Sequence, residues 1–365
     1  MHFRFITSTP LNVLQGSGTF AGISTLVKFL RISGHSVNLI TPKVHFPVYT
    51  AERIVFNELL RLERWDEHAI TVGFDMDGYG IAKPGRGLHI ASIKGVIADE
   101  MRFESGLTRA TMRLQAHYEK LHVRAALVLA TSAYSARRIQ ELYGVRAAPR
   151  IVPELIDLAA WKELSLANPA TPDPRKFVVL SVCRFYPRKR LGILLGAADH
   201  LRDKIPGLEV RIVGGGPEAS RLRSVWRQRR LQGVVTWLGD ISQQELAREY
   251  NRCHIFCLPS VQEAFGIVFL EAMAHAKPIV AARAAATPEV AKHAILVEPD
   301  NEEALADGIE RLYSTPELRT ALGEQGSQLV KRFDGPVVAE LFLREVNAGL
   351  GLQISPPTIP SATVH

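Results

Sequence analysis

Apolar residues along this chain come in short runs, separated by longer stretches in which they recur at every third or fourth position. The first run, "FRFIT", leads through the polar "NVLQGSGT" into the helix-like "FAGISTLVKFLRISGH" and a second run, "SVNLIT". "AITVGF", "LHIASI" and "ALVLATS" follow, with helical patterns such as "TRATMRLQAHYEKLHVRAA" and "AYSARRIQELYG" among them. Runs too short for helices and bounded by turn residues read as buried strands. Strands alternating with helices imply a parallel sheet covered on both faces. Residues 165–175, "SLANPATPDPR", interrupt this rhythm, and the pattern then restarts with "KFVVLSVC", "LEVRIVG", "VVTWLG", "HIFCLP", "KPIVAA" and "AILVEP". The expected architecture is α/β, with two Rossmann-like doubly wound domains facing across a cleft. Residues 1–164 form the first domain, 165–175 a linker and 176–335 the second. A helix near 336–350 packs back on the first domain, and the Pro/Ser/Thr-rich residues 351–365 form a disordered tail.

Composition supports two cores: 365 residues at 47% hydrophobic and 22% charged exceed what one core of ordinary size holds. No apolar run reaches the length of a membrane span, and "MHFRFITSTPLN" lacks a basic flank followed by an apolar stretch and cleavage site. A cytoplasmic location is therefore expected, with the inner face of a membrane as a candidate site of action. Cys183, Cys253 and Cys257 each lie in or beside a strand-like run, as reduced thiols would. "CHIFC" lacks the second His/Cys group that a zinc site needs. The formal charge of +7 sits mostly in residues 1–160, where 19 Lys/Arg face 14 Asp/Glu. That excess suits an anionic substrate or lipid surface, and nothing in it calls for nucleic acid.

Ligands of such sheets bind where strands end and helices begin. After "HIFCLPS" the chain runs "VQEAFGIVFLEAMA", with Glu263 in the loop and Glu271 one turn into a helix. Phe265 and Gly266 precede that helix, and the leading N–H groups of Gly266, Ile267 and Val268 favour an anion or a sugar hydroxyl. A carboxylate accepts from two neighbouring hydroxyls, so the pair suits two sugar rings of one ligand; spacing alone leaves two solvated glutamates open as well. "SVCRFYPRKR" ends a strand with Arg184 and Lys189, two cations suited to a diphosphate. Arg188 and Arg190 read as a solvated turn. "RIVGGGPEA" places Gly214, Gly215 and Gly216 after another strand, where bare backbone can meet a base or phosphate.

Arg184, Lys189, the Gly-Gly-Gly-Pro-Glu segment, "CLPS", Glu263, Phe265–Gly266, Glu271 and Pro288–Glu289 stand in an order that resembles family 4 of the retaining glycosyltransferases, which have the GT-B fold. The likeness covers most of residues 150–335 and includes Pro153 and Asp157 in "VPELIDLAAW". In the first half, Gly16 and Gly18 match a glycine-bearing first loop, and Gly34–His35 a turn before the second strand. The resemblance implies a nucleotide diphosphate sugar as donor and a glycan, lipid-linked or small-molecule hydroxyl as acceptor, with no obligatory metal or cofactor. It assigns Glu271 to the ribose, Glu263 to the transferred sugar, and Arg184 and Lys189 to the diphosphate. The first domain becomes the acceptor domain and the second the nucleotide-sugar domain, with a role in cell-envelope or exopolysaccharide synthesis. A transfer-inactive nucleotide-sugar-binding protein is the alternative.

Departures from the pattern are specific. Lys94–Gly95 stands where relatives carry His-Gly; Lys94, Asp99 and Asp75 are candidates for an acceptor or sugar contact, although Asp75 and Asp77 also suit a turn. "AAATPE" replaces a glycine pair. Ala276 and Arg190 stand where glycines are common, alanine being a mild change. Arg102, Arg109, Arg113, Lys120 and Arg124 line one helical region, a pattern shared by solvated helices and by helices that meet anionic lipid. No GxGxxG opens either half, against a dinucleotide-dependent dehydrogenase.

Overall fold

The computed structural model describes residues 1–10, 13–65, 69–82, 88–125 and 127–352, with the side chains of 13–17 outside that description. The chain begins with β1 (His2–Ile6), α1 (Val13–Ile32), β2 (Ser36–Ile40), α2 (Tyr49–Leu60), β3 (Ile70–Phe74) and β4 (His89–Ile93). It continues through α3 (Ile97–Glu100), α4 (Gly106–His122), β5 (Leu127–Ala130), α5 (Ala133–Tyr143), β6 (Arg150–Ile151) and α6 (Leu158–Ala167). Then come β7 (Phe177–Val182), α7 (Leu191–Leu201), β8 (Leu208–Val213), α8 (Ala219–Gln228), β9 (Val235–Gly239), α9 (Gln243–Arg252) and β10 (Ile255–Leu258). The remainder is α10 (Ile267–Ala274), β11 (Ile279–Ala282), α11 (Thr287–Val290), β12 (Ile295–Val297), α12 (Glu302–Ser314), α13 (Pro316–Leu329) and α14 (Gly335–Leu350).

Two compact units result: residues 1–154 with 335–365, and residues 155–334. Each is built on a six-stranded sheet, ordered β2-β1-β3-β4-β5-β6 in the first and β12-β11-β10-β7-β8-β9 in the second, with every pairing parallel. Helices cover both faces, so the strands read as continuous apolar segments: all four residues of β10 and all four of β11 are buried. The expected strands are therefore present, and the two-residue β6, too short to leave a pattern, joins them.

Strand order reverses at one place in each sheet, between β1 and β3 in the first unit and between β7 and β10 in the second. In doubly wound sheets generally, the carboxyl ends of the strands at such a switch point are where ligands bind.

Some boundaries differ from the sequence reading. The expected linker, residues 165–175, lies within the second unit, where Asn251 Nδ2 donates to the carbonyls of Ser165 and Asn168; composition marks the proline-rich stretch but not these bonds. Helix α14 belongs to the first unit, with Phe342 buried against Phe3 and Phe5 at 5.7 and 6.3 Å. Most of the expected tail, residues 353–365, lies outside the described residues. Helix α1 starts at Val13, so Gly16 and Gly18 are helical and not part of a loop; a glycine costs a helix only about 1 kcal/mol, which the packing of α1 on α14 offsets.

Candidate active site

The switch point of the second unit brings together Arg184, Arg188, Lys189 and Glu263. Beyond β7 the chain passes Cys183, Arg184 and Phe185 into a short 3-10 turn, Pro187–Lys189. Beyond β10 it passes Ser260, Val261 and Gln262 to Glu263. Main-chain bonds lock these two loops together: Val261 N donates to the Arg188 carbonyl at 2.9 Å, and Ser260 Oγ to the same oxygen at 3.2 Å. Arg188 Nε donates to Gln262 Oε1 at 3.0 Å. Arg188 is thus more than a solvated turn, and Arg190, ion-paired with Asp300 at 2.7 Å, is too.

Within that frame Lys189 Nζ donates to Glu263 Oε1 in an ion pair whose side chains are only 11% and 8% exposed. Two sequence candidates from loops 74 residues apart therefore meet directly. An ammonium carries three donors, so this contact leaves two for a ligand's oxygens. Arg184 lies nearby, half-buried, with Nη1 donating to Asp240 at 3.1 Å beyond β9. The Cys183 thiol sits amid the group: burial pushes it up to about 12, with Lys189, Glu263, Arg188 and Arg184 all close enough to act on it.

The glycine run has a packing role. Gly214 holds φ +113°, and a Cβ there would lie 2.1 Å from the Cys183 carbonyl; at Gly216 it would lie 2.7 Å from Phe185 N. Phe185 N donates to the Gly215 carbonyl at 2.9 Å. Gly214 and Gly216 thus let the loops after β7 and β8 touch backbone to backbone, while a Cβ at Gly215 would meet only Asp240 Oδ2 at 3.7 Å. Of these three glycines, only Gly215 has room for a Cβ beside its backbone.

Helix α10 begins at a left-handed Gly266, φ +90°, where a Cβ would lie 2.7 Å from the Phe269 ring. Ile267 and Val268 lead the helix, and their N–H groups, lying in its first turn, have no intrahelical acceptor. Phe265 is buried against Phe333 at 5.5 Å and serves the core. Glu271 stands in the second turn, where Tyr250 Oη donates to its Oε2 at 2.9 Å; Oε1 has no partner among the described residues. Burial pushes its carboxyl up to about 7, against the lowering effect of the Tyr250 bond.

The first-unit candidates are engaged elsewhere. Lys94 is buried in an ion pair with Glu154 at 3.1 Å. Asp99, fully buried, accepts from Tyr134 at 2.6 Å and Arg138 at 2.9 Å. Asp75 accepts from Lys94 N and Gly95 N at 2.7 and 3.1 Å, bridging the ends of β3 and β4, and burial raises it to about 6. Asp75 and Asp77 do lie in a turn, with Asp77 N donating to the Phe74 carbonyl at 2.9 Å, and the Asp77 side chain also fills the first switch point, accepting from Ser8 N, Ser8 Oγ, Asn57 Nδ2 and Arg53. Sequence reading missed Tyr250, Asp240 and Gln262, the partners of Glu271, Arg184 and Arg188. Only Tyr250 left a signal, the apolar spacing Leu246, Ala247, Tyr250 on an otherwise polar α9.

Two Rossmann-like units, each a six-stranded parallel sheet flanked by helices, are the components of a GT-B fold. Residues 166–329 match the family described as Glycosyl transferases group 1. A GDP-mannose-dependent alpha-(1-6)-phosphatidylinositol monomannoside mannosyltransferase of Mycobacterium tuberculosis is 27% identical over 221 residues, 56% of this chain and 57% of its own length. The phosphatidyl-myo-inositol mannosyltransferase of that organism is 32% identical over 178 residues, 46% of each chain. This chain thus spans about half the length of the curated relatives it matches. Sucrose-phosphate synthase from Thermosynechococcus elongatus superposes with a TM-score of 0.77 at 20% identity, covering 96% of this chain and 99% of its own. Anabaena HepE in complex with UDP and glucose gives 0.69 at 17% identity, covering 95% and 99%. At such identities the likeness is one of fold.

Proposed function

We propose that this chain is a retaining glycosyltransferase, moving a sugar from a nucleotide diphosphate sugar to a hydroxyl acceptor in cell-envelope or exopolysaccharide synthesis. The Lys189–Glu263 pair at the second switch point carries this reading, with Glu271 eight residues further on. In it, Lys189 and Arg184 bind the diphosphate, Glu263 the transferred sugar and Glu271 the ribose. The match of residues 166–329 to group 1 glycosyltransferases, the mannosyltransferase relatives and the UDP-bound neighbour support it.

In the proposed reaction the bond between the anomeric carbon and the diphosphate oxygen breaks, its electron pair leaving with the phosphate. The acceptor oxygen bonds to that carbon on the same face, and its proton passes to the departing phosphate. No strong protein base is required; the protein holds the partners close and stabilises the growing negative charge. Because that charge develops in the transition state, Lys189→Ala slows turnover at saturating donor by about a hundredfold. Nucleotide release with a broad acceptor panel measures this, and unchanged turnover removes Lys189 from its role.

One observation favours the transfer-inactive alternative: Lys94, where relatives carry His, is tied up with Glu154. Donor binding with no nucleotide release from any acceptor would support it. On the acceptor side, α4 exposes Arg109, Arg113 and Lys120 beside Leu107 and Leu114, while its one carboxylate, Glu119, is buried. This asymmetry supports peripheral contact with an anionic membrane. No helix among the described residues is long and apolar enough to cross one. Cosedimentation with anionic liposomes at low salt, lost at high salt, is the expected result; binding indifferent to salt or absent rejects the contact.

A further inference from the structure

We propose that Tyr250 is a positioning residue for Glu271, its hydroxyl fixing one carboxylate oxygen so that the other alone serves the nucleotide ribose. This rests on the ribose-binding reading of Glu271. Tyr250 is fully buried in the core of the second unit, where a phenylalanine would pack as well. Its ring stacks on His275 at 4.9 Å and meets the edge of Trp161 at 6.1 Å. Its hydroxyl donates to Glu271 Oε2 at 2.9 Å, while His275 Nδ1 donates to the Glu271 carbonyl at 2.8 Å. One aromatic stack therefore grips both the side chain and the backbone of the same glutamate.

The stack is itself anchored. A reciprocal capping box between Ser242 and Glu245 fixes the start of α9, and Lys277 Nζ donates to the carbonyls of Asn251 and Cys253 at 3.1 and 2.7 Å, tying its end to the loop after α10. A carboxylate held at one oxygen loses its rotation about χ3, so the free oxygen is presented in one direction before the ligand arrives. The titratable groups of this network are Tyr250, Cys253, His275 and Lys277. Burial and the Tyr250 bond are the two causes acting on Glu271; the charged groups on the other elements packed on α10 are Lys162 and Glu163 of α6, Glu317, Arg319 and Glu324 of α13, and Lys331 and Arg332.

Tyr250→Phe keeps the ring and removes the donor. Titration calorimetry with UDP and GDP across about pH 6–8 is expected to show roughly tenfold weaker binding near neutrality, with the pH midpoint raised by about one unit. Glu271→Gln provides the baseline for the ligand's own titration. A folded Tyr250→Phe that binds as tightly as the wild type with the same profile overturns the proposal and leaves the ribose reading standing, provided Glu271→Gln binds weakly. If Glu271→Gln matches the wild type, or the wild type binds neither nucleotide, both readings fall. Should Tyr250→Phe not fold, site-specific 3-fluorotyrosine at position 250, a stronger donor, is expected to lower the midpoint; an unmoved midpoint overturns the proposal.

Discussion

Ala276 and Ala285 hold the left-handed backbone, at φ +51° and +50°, where a Cβ crowds the adjoining carbonyl. Alanine at 276 is thus not a mild substitute for glycine. Ala276→Gly and Ala285→Gly are each expected to stabilise the chain by about 0.5–1 kcal/mol, the relief of strain exceeding the added chain entropy. Thermal melts raised by about 2 °C check this, and a lowered midpoint rejects it. Arg190 shares the conformation, but its Asp300 ion pair gives it a second task. Glu263 and Lys189 stood out as candidates because each is a charge just past a strand, in an order that the family resemblance supplies. Their contact was not legible, since no local pattern links positions 74 apart. Lys94, Asp75 and Asp99 misled on the same ground: a charge after a strand looks the same in sequence whether it faces solvent or a buried partner.

Elements explain why the two switch points differ. In the first unit Asp77, Ser8, Asn57 and Arg53 close the crevice with mutually satisfied bonds. In the second, the loops after β7, β8 and β10 are packed backbone to backbone, and the charges stand on that platform. Gly214→Ala would place a methyl 2.1 Å from the Cys183 carbonyl in a left-handed conformation. Its expected cost is about 2–4 kcal/mol in denaturant melts, with nucleotide binding impaired in the folded fraction. A variant of wild-type stability would show that the loops do not need this contact. The helix–strand alternation that sets these loops was fully legible; the start of α1 was not, because Gly-Ser-Gly signals a turn locally and tertiary packing overrides it.

The first sheet carries its own pH dependence. His89 and His122 face each other, Nε2 to Nε2 at 3.0 Å, and His122 Nδ1 donates to the Asp75 carbonyl. Burial lowers both, His122 to about 4. Between about pH 6.5 and 4 these two histidines bind fewer protons in the folded chain than in the unfolded one, which opposes folding on acidification, while Asp75 and Glu119, raised by burial, bind more and act the other way. The His122 ring should therefore stay neutral down to about pH 4 in an NMR titration of the folded chain, and a midpoint near 6.5 would contradict the assignment.

At the scale of the whole molecule, the two doubly wound units were legible because strand periodicity survives any loop variation. The limit at 334/335 lies one residue from the expected 335/336, whereas that at 154/155 escaped the sequence pattern, since it follows three-dimensional contacts and not composition. Base, sugar and acceptor depend on pocket shape, which a periodic pattern does not encode. In its proposed ribose-binding role, Glu271 gives donor binding a pH signature. With its carboxyl raised to about 7, the accepting carboxylate forms as pH rises, so affinity should strengthen from about pH 6 to 8.

The central claim, that the second unit binds a nucleotide diphosphate sugar through Glu271 and the Lys189–Glu263 pair, is tested most directly by thermal shift against UDP-, GDP-, ADP- and dTDP-sugars. One nucleotide class should raise the melting midpoint of the wild type, and not that of Glu271→Gln. No stabilisation by any donor, or equal stabilisation of both proteins, would contradict it.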